Sequence, residues 1–204
     1  MGRMISWITG LALWALFTFW YTNTGGPLKQ EEIDHYLELM AQQNDADPAQ
    51  LRAFLEQDSG NQFIMVNIID LNENPPPVPG AAPGEDAKSL MARYMEYMFP
   101  ALLSRACHPI YAGRAVGPAL DLVGLSGAYE WDQAAMMRYR SKRDMLEIAT
   151  NPEFTGRHDF KIAALDKTVA FPVEGVLYYS DPRFLLALIL FSLCALINLI
   201  LPRK

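Results

Sequence analysis

The sequence predicts an α+β domain carried between two membrane-spanning helices, and three observations lead there. Two runs of 18 residues, Met4–Tyr21 and Phe184–Leu201, contain no Asp, Glu, Lys, Arg or His. Between them, apolar residues recur every second position in some segments and every third or fourth in others, in the order strand, helix, strand, strand, helix, strand. Charge is divided in the same way. Thr22–Arg183 holds all 23 acidic residues and 14 of the 17 basic ones, a balance of −9 in a chain whose total is −6. The 51% hydrophobic and 20% charged averages look soluble only because two unlike parts are pooled. An acidic middle domain also lacks the basic footprint of a nucleic-acid binder.

The first apolar run would be about 27 Å long as a helix, close to a hydrocarbon core of about 30 Å. Gly10, Ser6 and Thr9 dilute it, while Trp7 and the pair Trp20-Tyr21 put amphipathic rings near its two ends, where headgroups favour them. No small-x-small cleavage site follows, so residues 1–22 read as an uncleaved signal-anchor rather than a removed signal peptide. In Phe184–Leu201 only Ser192, Cys194 and Asn198 are polar, and residues 176–204 read as a second span with a short tail. Arg3 flanks the first run outside, and Arg203 and Lys204 flank the second; the inner flanks offer only Lys29 and Arg183. The positive-inside rule then puts both termini in the cytoplasm and the middle domain outside it, in the periplasm if the membrane is a bacterial inner membrane.

Residues 23–60 form a linker and an acidic helical hairpin. Ile33, Tyr36, Leu37 and Met40 make one apolar stripe, and Leu51, Phe54 and Leu55 a second. Asn44-Asp45-Ala46-Asp47-Pro48 supplies the turn, with Asp47 as N-cap and Pro48 at the first helical position. Residues 61–175 form the α+β domain. Gln62–Leu71 is its strongest strand, expected to be central and buried on both faces. Asn67 within it needs a partner for its amide, either a neighbouring strand or a pocket. The proline-rich stretch Asn72–Gly84 reads as an extended loop.

Glu85–Ala106 follows as a helix, kinked at Pro100. His108–Val116 is a short strand, Gly117-Pro118 turns the chain before Ala119–Leu125, and Ala128–Arg140 is a further strand. Ser141 caps the next helix, with Asp144 reaching back as in a capping box. His158–Lys167 is a last helix and Thr168–Glu174 a last strand. This order is the split βαβ arrangement of ferredoxin-like folds. Helices on one face leave the other bare, and burial against a second sheet predicts a dimer.

The run Met65-Val66-Asn67, the helix ending at Tyr97-Met98-Phe99-Pro100, the Gly113-Arg114 strand, and Tyr139-Arg140-Ser141 leading into Asn151-Pro152-Glu153-Phe154 resemble the dimeric α+β barrel superfamily. Within it they are most similar to small uncharacterised domains found near antibiotic-biosynthesis-type monooxygenases. The resemblance spans about residues 61–174 and implies a dimeric ferredoxin-like barrel. Cofactor-free monooxygenases, haem-binding enzymes and proteins without known chemistry share that fold, so the resemblance implies no one activity.

No phosphate loop, nucleophile elbow, zincin motif or paired-Cys metal spacing occurs. His35 belongs to the acidic hairpin, and His158 with Asp159 reads as a helix start. His108 has two readings. It satisfies local backbone groups at a strand start, or it meets Tyr111, Arg114 and Asn67 in a barrel pocket walled by Tyr94, Tyr97, Trp131 and Tyr139. There an imidazole serves as a base and arginine steadies an anionic oxygen; no cofactor is called for, though the imidazole could also ligate haem. Arg138, Arg140, Lys142 and Arg143 form the only basic cluster, read as ion-pair partners for the acidic hairpin or as a site for an anionic ligand or lipid headgroup. Cys107 and Cys194 are too differently situated to pair.

These readings give a non-catalytic accessory or assembly subunit of a membrane complex, in contact with lipid and homodimeric or part of a larger assembly. The alternative is a membrane-tethered enzyme or binding protein for a small hydrophobic, quinone-like or haem-like molecule. A third is a tether whose helices pack against partner helices through Asn198.

Overall fold

The computed structural model describes residues 2–41, 47–154, 156–175 and 178–200. The turn residues Asn44, Asp45 and Ala46 and the basic tail Arg203-Lys204 lie outside them. The chain divides into two compact units: Met1–Gly25 with Gly175–Lys204, and Gly26–Glu174.

The first unit is a pair of antiparallel helices, α1 (Gly2–Tyr21) and α7 (Pro182–Ile200). Both are long and apolar enough to cross a membrane, with mean hydropathy of 1.4 and 2.4 over 19 residues each. They approach most closely at Gly10, where a Cβ would lie 2.8 Å from the Cys194 Sγ. Asn198 of α7 reaches α1: its amide donates to Ser6 Oγ at 2.8 Å and, within its own helix, to the Cys194 carbonyl at 2.7 Å. At the other end the Trp14 indole donates to the Arg183 carbonyl, and the Arg183 guanidinium to Thr22 Oγ1 at 3.0 Å.

In the second unit, α2 (Gln30–Ala41) and α3 (Pro48–Glu56) make the acidic hairpin. Asp47 caps α3 by accepting from the Ala49 amide at 2.9 Å. Ile33, Leu55 and Leu28 bury against Leu146 of α5 (Lys142–Ala149), which fixes the hairpin on the domain.

Strands β1 (Phe63–Leu71), β2 (His108–Arg114), β3 (Gln133–Tyr139) and β4 (Leu165–Val173) form one sheet of order β2-β3-β1-β4, antiparallel at every pair. With α4 (Ala87–Ser104), α5 and α6 (His158–Ala164), this is the ferredoxin-like arrangement. Helix α4 continues through Pro100, and Asp86 caps it by accepting from the Ser89 amide at 2.7 Å. Ser141 caps α5 by accepting from the Asp144 amide, while the Asp144 carboxylate accepts from the Ser141 hydroxyl and pairs with Arg140, a variant of the reciprocal box.

Two boundaries differ from expectation. β3 begins at Gln133, not Ala128, because the Trp131 indole folds back to donate to the Ala128 carbonyl. β4 begins at Leu165 and α6 ends at Ala164, since Lys167 pairs across the sheet with Asp70.

The core lies on one face of the sheet. Leu90 of α4 packs with Phe160, Ala163 and Ala164, and Met98 and Leu102 pack with Cys107 and Ile148 over Met137 and Tyr139. Burial of β1 on both faces is not found within one chain: Phe63 and Ile69 are buried, but Ile64, Val66 and Ile68 are only half-buried.

Candidate functional site

On the helix-covered side a cavity of about 500 Å³ opens between α4, α5, the turn Pro152–Phe154, α6 and the end of β3. Tyr94, Tyr97, Tyr139, Met98, Met145 and Phe154 give it an aromatic and thioether wall, and His158, Asp159 and Lys161 supply its polar part. α4 sets Tyr94 and Tyr97 edge to face at 5.9 Å, and Tyr139 stacks on Phe63 at 5.3 Å. The His158 ring meets Tyr94 edge-on at 5.8 Å, and the Tyr97 hydroxyl donates to the Arg157 carbonyl at 2.6 Å. Lys161 lies over the Tyr94 ring and Arg157 over the Tyr97 ring.

Burial pushes the Tyr94 hydroxyl up to about 12 and raises Tyr97 and Tyr139 further, so all three phenols are neutral at physiological pH. A cavity of this volume falls within the ordinary range for small-molecule sites, which combine apolar walls with a few polar groups. Chemically it suits a neutral, mostly apolar ligand that stacks on rings and accepts hydrogen bonds.

The structure brings Tyr94, Tyr97 and Tyr139 together but separates the other candidates from them. His108 and Tyr111 pair in register with Arg138 and Met136, so they face the uncovered side. The expected meeting of imidazole, phenols and guanidinium is therefore not made, and His108 does not line this cavity; its Nδ1 contacts the Pro109 carbonyl at 3.0 Å. The irregularity between Pro109 and Tyr111 causes this, since it puts His108 and Tyr111 on one face and Arg114 on the other. Arg114 is exposed at the sheet edge. Trp131 precedes β3 and lies beneath Lys167, 5.2 Å from ring centroid to Nζ, outside the cavity. Asn67 donates to the Met65 carbonyl at 3.1 Å and the Ala135 carbonyl at 3.5 Å, bracing β1 to β3. Sequence reasoning expected a pocket walled by Tyr94, Tyr97 and Tyr139 but assigned His158 to a helix start and missed its place there. The signal was its spacing from Phe154, which puts both on the segment packed against α4.

The basic cluster is engaged locally. Arg143 pairs with Glu32 of the hairpin at 2.8 Å, and Lys142 lies over the Phe54 ring at 4.2 Å while donating to the Phe54 carbonyl. Arg140 pairs with Asp144 at 2.5 Å. Arg138 is fully buried and donates to Gln62 Oε1 and the Ala106 carbonyl. The Arg143 hydrogen bonds, with that of the Lys29 amide, lower Glu32 to about 2.

The opposite face of the sheet carries Ile64, Val66, Ile68, Met136, Val169 and Phe171, with Tyr111 lying across Gly113 so closely that a Cβ there would collide with its ring. Val169, Phe171 and Tyr111 are exposed.

No family model matches the chain, and no curated protein matches it. Among solved structures it is similar to a protein of unknown function from Rhodopseudomonas palustris, at TM-score 0.54 and 16% identity over 66% of this chain and 97% of that one. The methylated form of that protein gives 0.55 and 17%, over 67% and 96%. A dimeric ferredoxin-like protein of unknown function from Bacteroides fragilis matches at 0.32 and 16%, over 56% and 96%. The two likenesses to the Rhodopseudomonas palustris protein carry the fold alone. Strand order and helix placement give the middle domain a ferredoxin-like fold, and the likeness to the Rhodopseudomonas palustris protein is one of fold.

Proposed function

We propose that the chain is a membrane-anchored accessory protein whose middle domain joins a second copy through the open face of its sheet, as part of a membrane complex. The observation that carries this is the apolar open face, with Val169, Phe171 and Tyr111 exposed on the side of the sheet away from α4, α5 and α6. Sheets of this kind rarely leave such a surface in water. Anchoring draws support from α1 and α7, which turn Leu11, Leu16, Leu188 and Leu199 outward while Ser6 and Asn198 meet between them. Two antiparallel crossings return the chain to its starting side, and Arg3 favours the cytoplasm for the termini, with the middle domain across the membrane. Residues 1–22 and 176–204 are then spans, 23–60 the linker and hairpin, and 61–175 the barrel domain.

Mass measurement after mild detergent extraction tests self-association: a dimer or larger assembly is expected, and a lone monodisperse monomer overturns it. Protease protection in spheroplasts tests orientation: the middle domain is expected to be cleaved from outside, and a protected domain reverses the assignment.

The cavity favours a second reading, a binding site for a small neutral hydrophobic molecule, quinone-like in its stacking and acceptor groups. An absorption spectrum of protein purified from native membranes is the first check. A retained chromophore lost on Tyr94→Ala supports it, and a colourless protein that binds no added quinone sinks it.

A further inference from the structure

We propose that the arm between β2 and β3, residues 115–131, is a clasp that closes on a second copy of this chain. The arm leaves the sheet where Arg114 pairs with Gln133. Its legs are joined by the Ala115 amide to the Asp132 carbonyl and the Ala119 amide to the Tyr129 carbonyl, both at 2.7 Å. The shape is thus held by hydrogen bonds, yet the large side chains on it lie in the open. Leu120 and Val123 are 95% and 93% exposed, Val116 is wholly so, and Leu125 and Tyr129 are exposed as well. Scattered apolar residues are normal on a surface, but several on one projecting segment mark an interaction site.

A bilayer is a poor occupant on grounds of charge. From Ala115 to Trp131 there is no Lys, Arg or His, while Asp121 and Glu130 are carboxylates that an anionic leaflet repels.

A second copy fits on grounds of continuity. Tyr111, lying across Gly113, carries the open apolar face up to the root of the arm, so the arm leaves the sheet at the edge of that face. The chain therefore has an apolar face that needs cover and an apolar arm that needs a surface, and two-fold pairing satisfies each once per copy. This inference rests on the self-association proposed above and adds the element that completes it.

The test uses the full chain in detergent micelles, with sedimentation equilibrium as the readout. The triple variant Leu120→Ser, Val123→Ser, Leu125→Ser is expected to weaken self-association at least tenfold without changing the circular dichroism spectrum, because these side chains touch little within one chain. Phe171→Glu is the control for the open face. A nitroxide attached after Val123→Cys is expected to be shielded from water-soluble and lipid-soluble relaxants alike, and to become water-accessible when Phe171→Glu is added. If the triple variant associates like the parent while Phe171→Glu is monomeric, the clasp is wrong and the open-face dimer stands. If the nitroxide is reached by the lipid-soluble relaxant, the arm enters the bilayer and the clasp is wrong. A label shielded in a complex with a different protein, but water-accessible in the purified dimer, also overturns it. A monomeric parent chain overturns both readings.

Discussion

Phe63 and Ile69 are buried beneath the helices, whereas Ile64, Val66 and Ile68, the alternate residues of the same strand, are only half-buried on the other side. Both sets are equally apolar, so hydrophobicity alone does not separate them. What separates them is cover: α4, α5 and α6 lie on one face, and among the described residues nothing comparable packs on the other. An apolar strand of this kind reports how many faces are covered in the working assembly, not how many are covered by its own chain.

Substitutions on the two faces should therefore fail in different ways. The largest loss of stability is expected on the covered face: Leu102→Ala, at a fully buried position against Met98, Cys107 and Ile148, should cost about 3 kcal/mol in denaturant unfolding. A loss under about 1 kcal/mol would mean that this core is loosely packed.

Alkaline pH attacks the same face. The Tyr94 hydroxyl is raised by burial to about 12, so the stability it contributes is complete below its unfolded value near 10 and is lost as pH rises through 12. Midpoints of unfolding should fall across that window, and Tyr94→Phe should make the fall shallower. Acid attacks the hairpin instead. Glu32 is lowered to about 2 by Arg143, so its contribution is full above the unfolded value of 4.5 and lost as pH falls towards 2. With partly exposed partners the pair is worth about 1 kcal/mol at most, and Glu32→Gln should flatten the acid limb by that amount.

The smallest effect on folding belongs to the open face. Phe171→Glu should change the monomer's stability by about 0.5 kcal/mol or less, while removing self-association. A large destabilisation of the monomer would erase the distinction between the faces.

The order of elements was legible because each carries its own local signal: Asp47-Pro48 and Ser141 mark helix starts, and the run from Phe63 to Leu71 has no other good conformation. The grouping of Tyr94 with Tyr97 followed from helical spacing. The place of His108 was not legible. Period-two alternation assigns residues to two faces but does not say which face meets the helices, and one irregularity after Pro109 changes the answer for everything beyond it. Trp131 was misread for a related reason: its segment has strand-like residues, but an indole-to-backbone bond outcompetes the ladder there. The dangling arm had no signal, since Ala, Leu and Val in a Gly-rich stretch are silent about exposure.

The hydrogen bond between Arg183 and Thr22 ties positions 161 residues apart in sequence, at the end of the α1–α7 pair where Trp14 also engages Arg183. As long as that helix pair holds, the intervening chain is a closed ring even when it is unfolded. A ring of this length has less configurational freedom than an open chain by up to about 5 kcal/mol at room temperature in the chain-entropy description, subject to the strength of the pairing itself. The two apolar helices would thus act as a cross-link without sulfur, and cutting the chain between Gly175 and Asp181 should lower the melting temperature of a domain whose internal contacts are untouched.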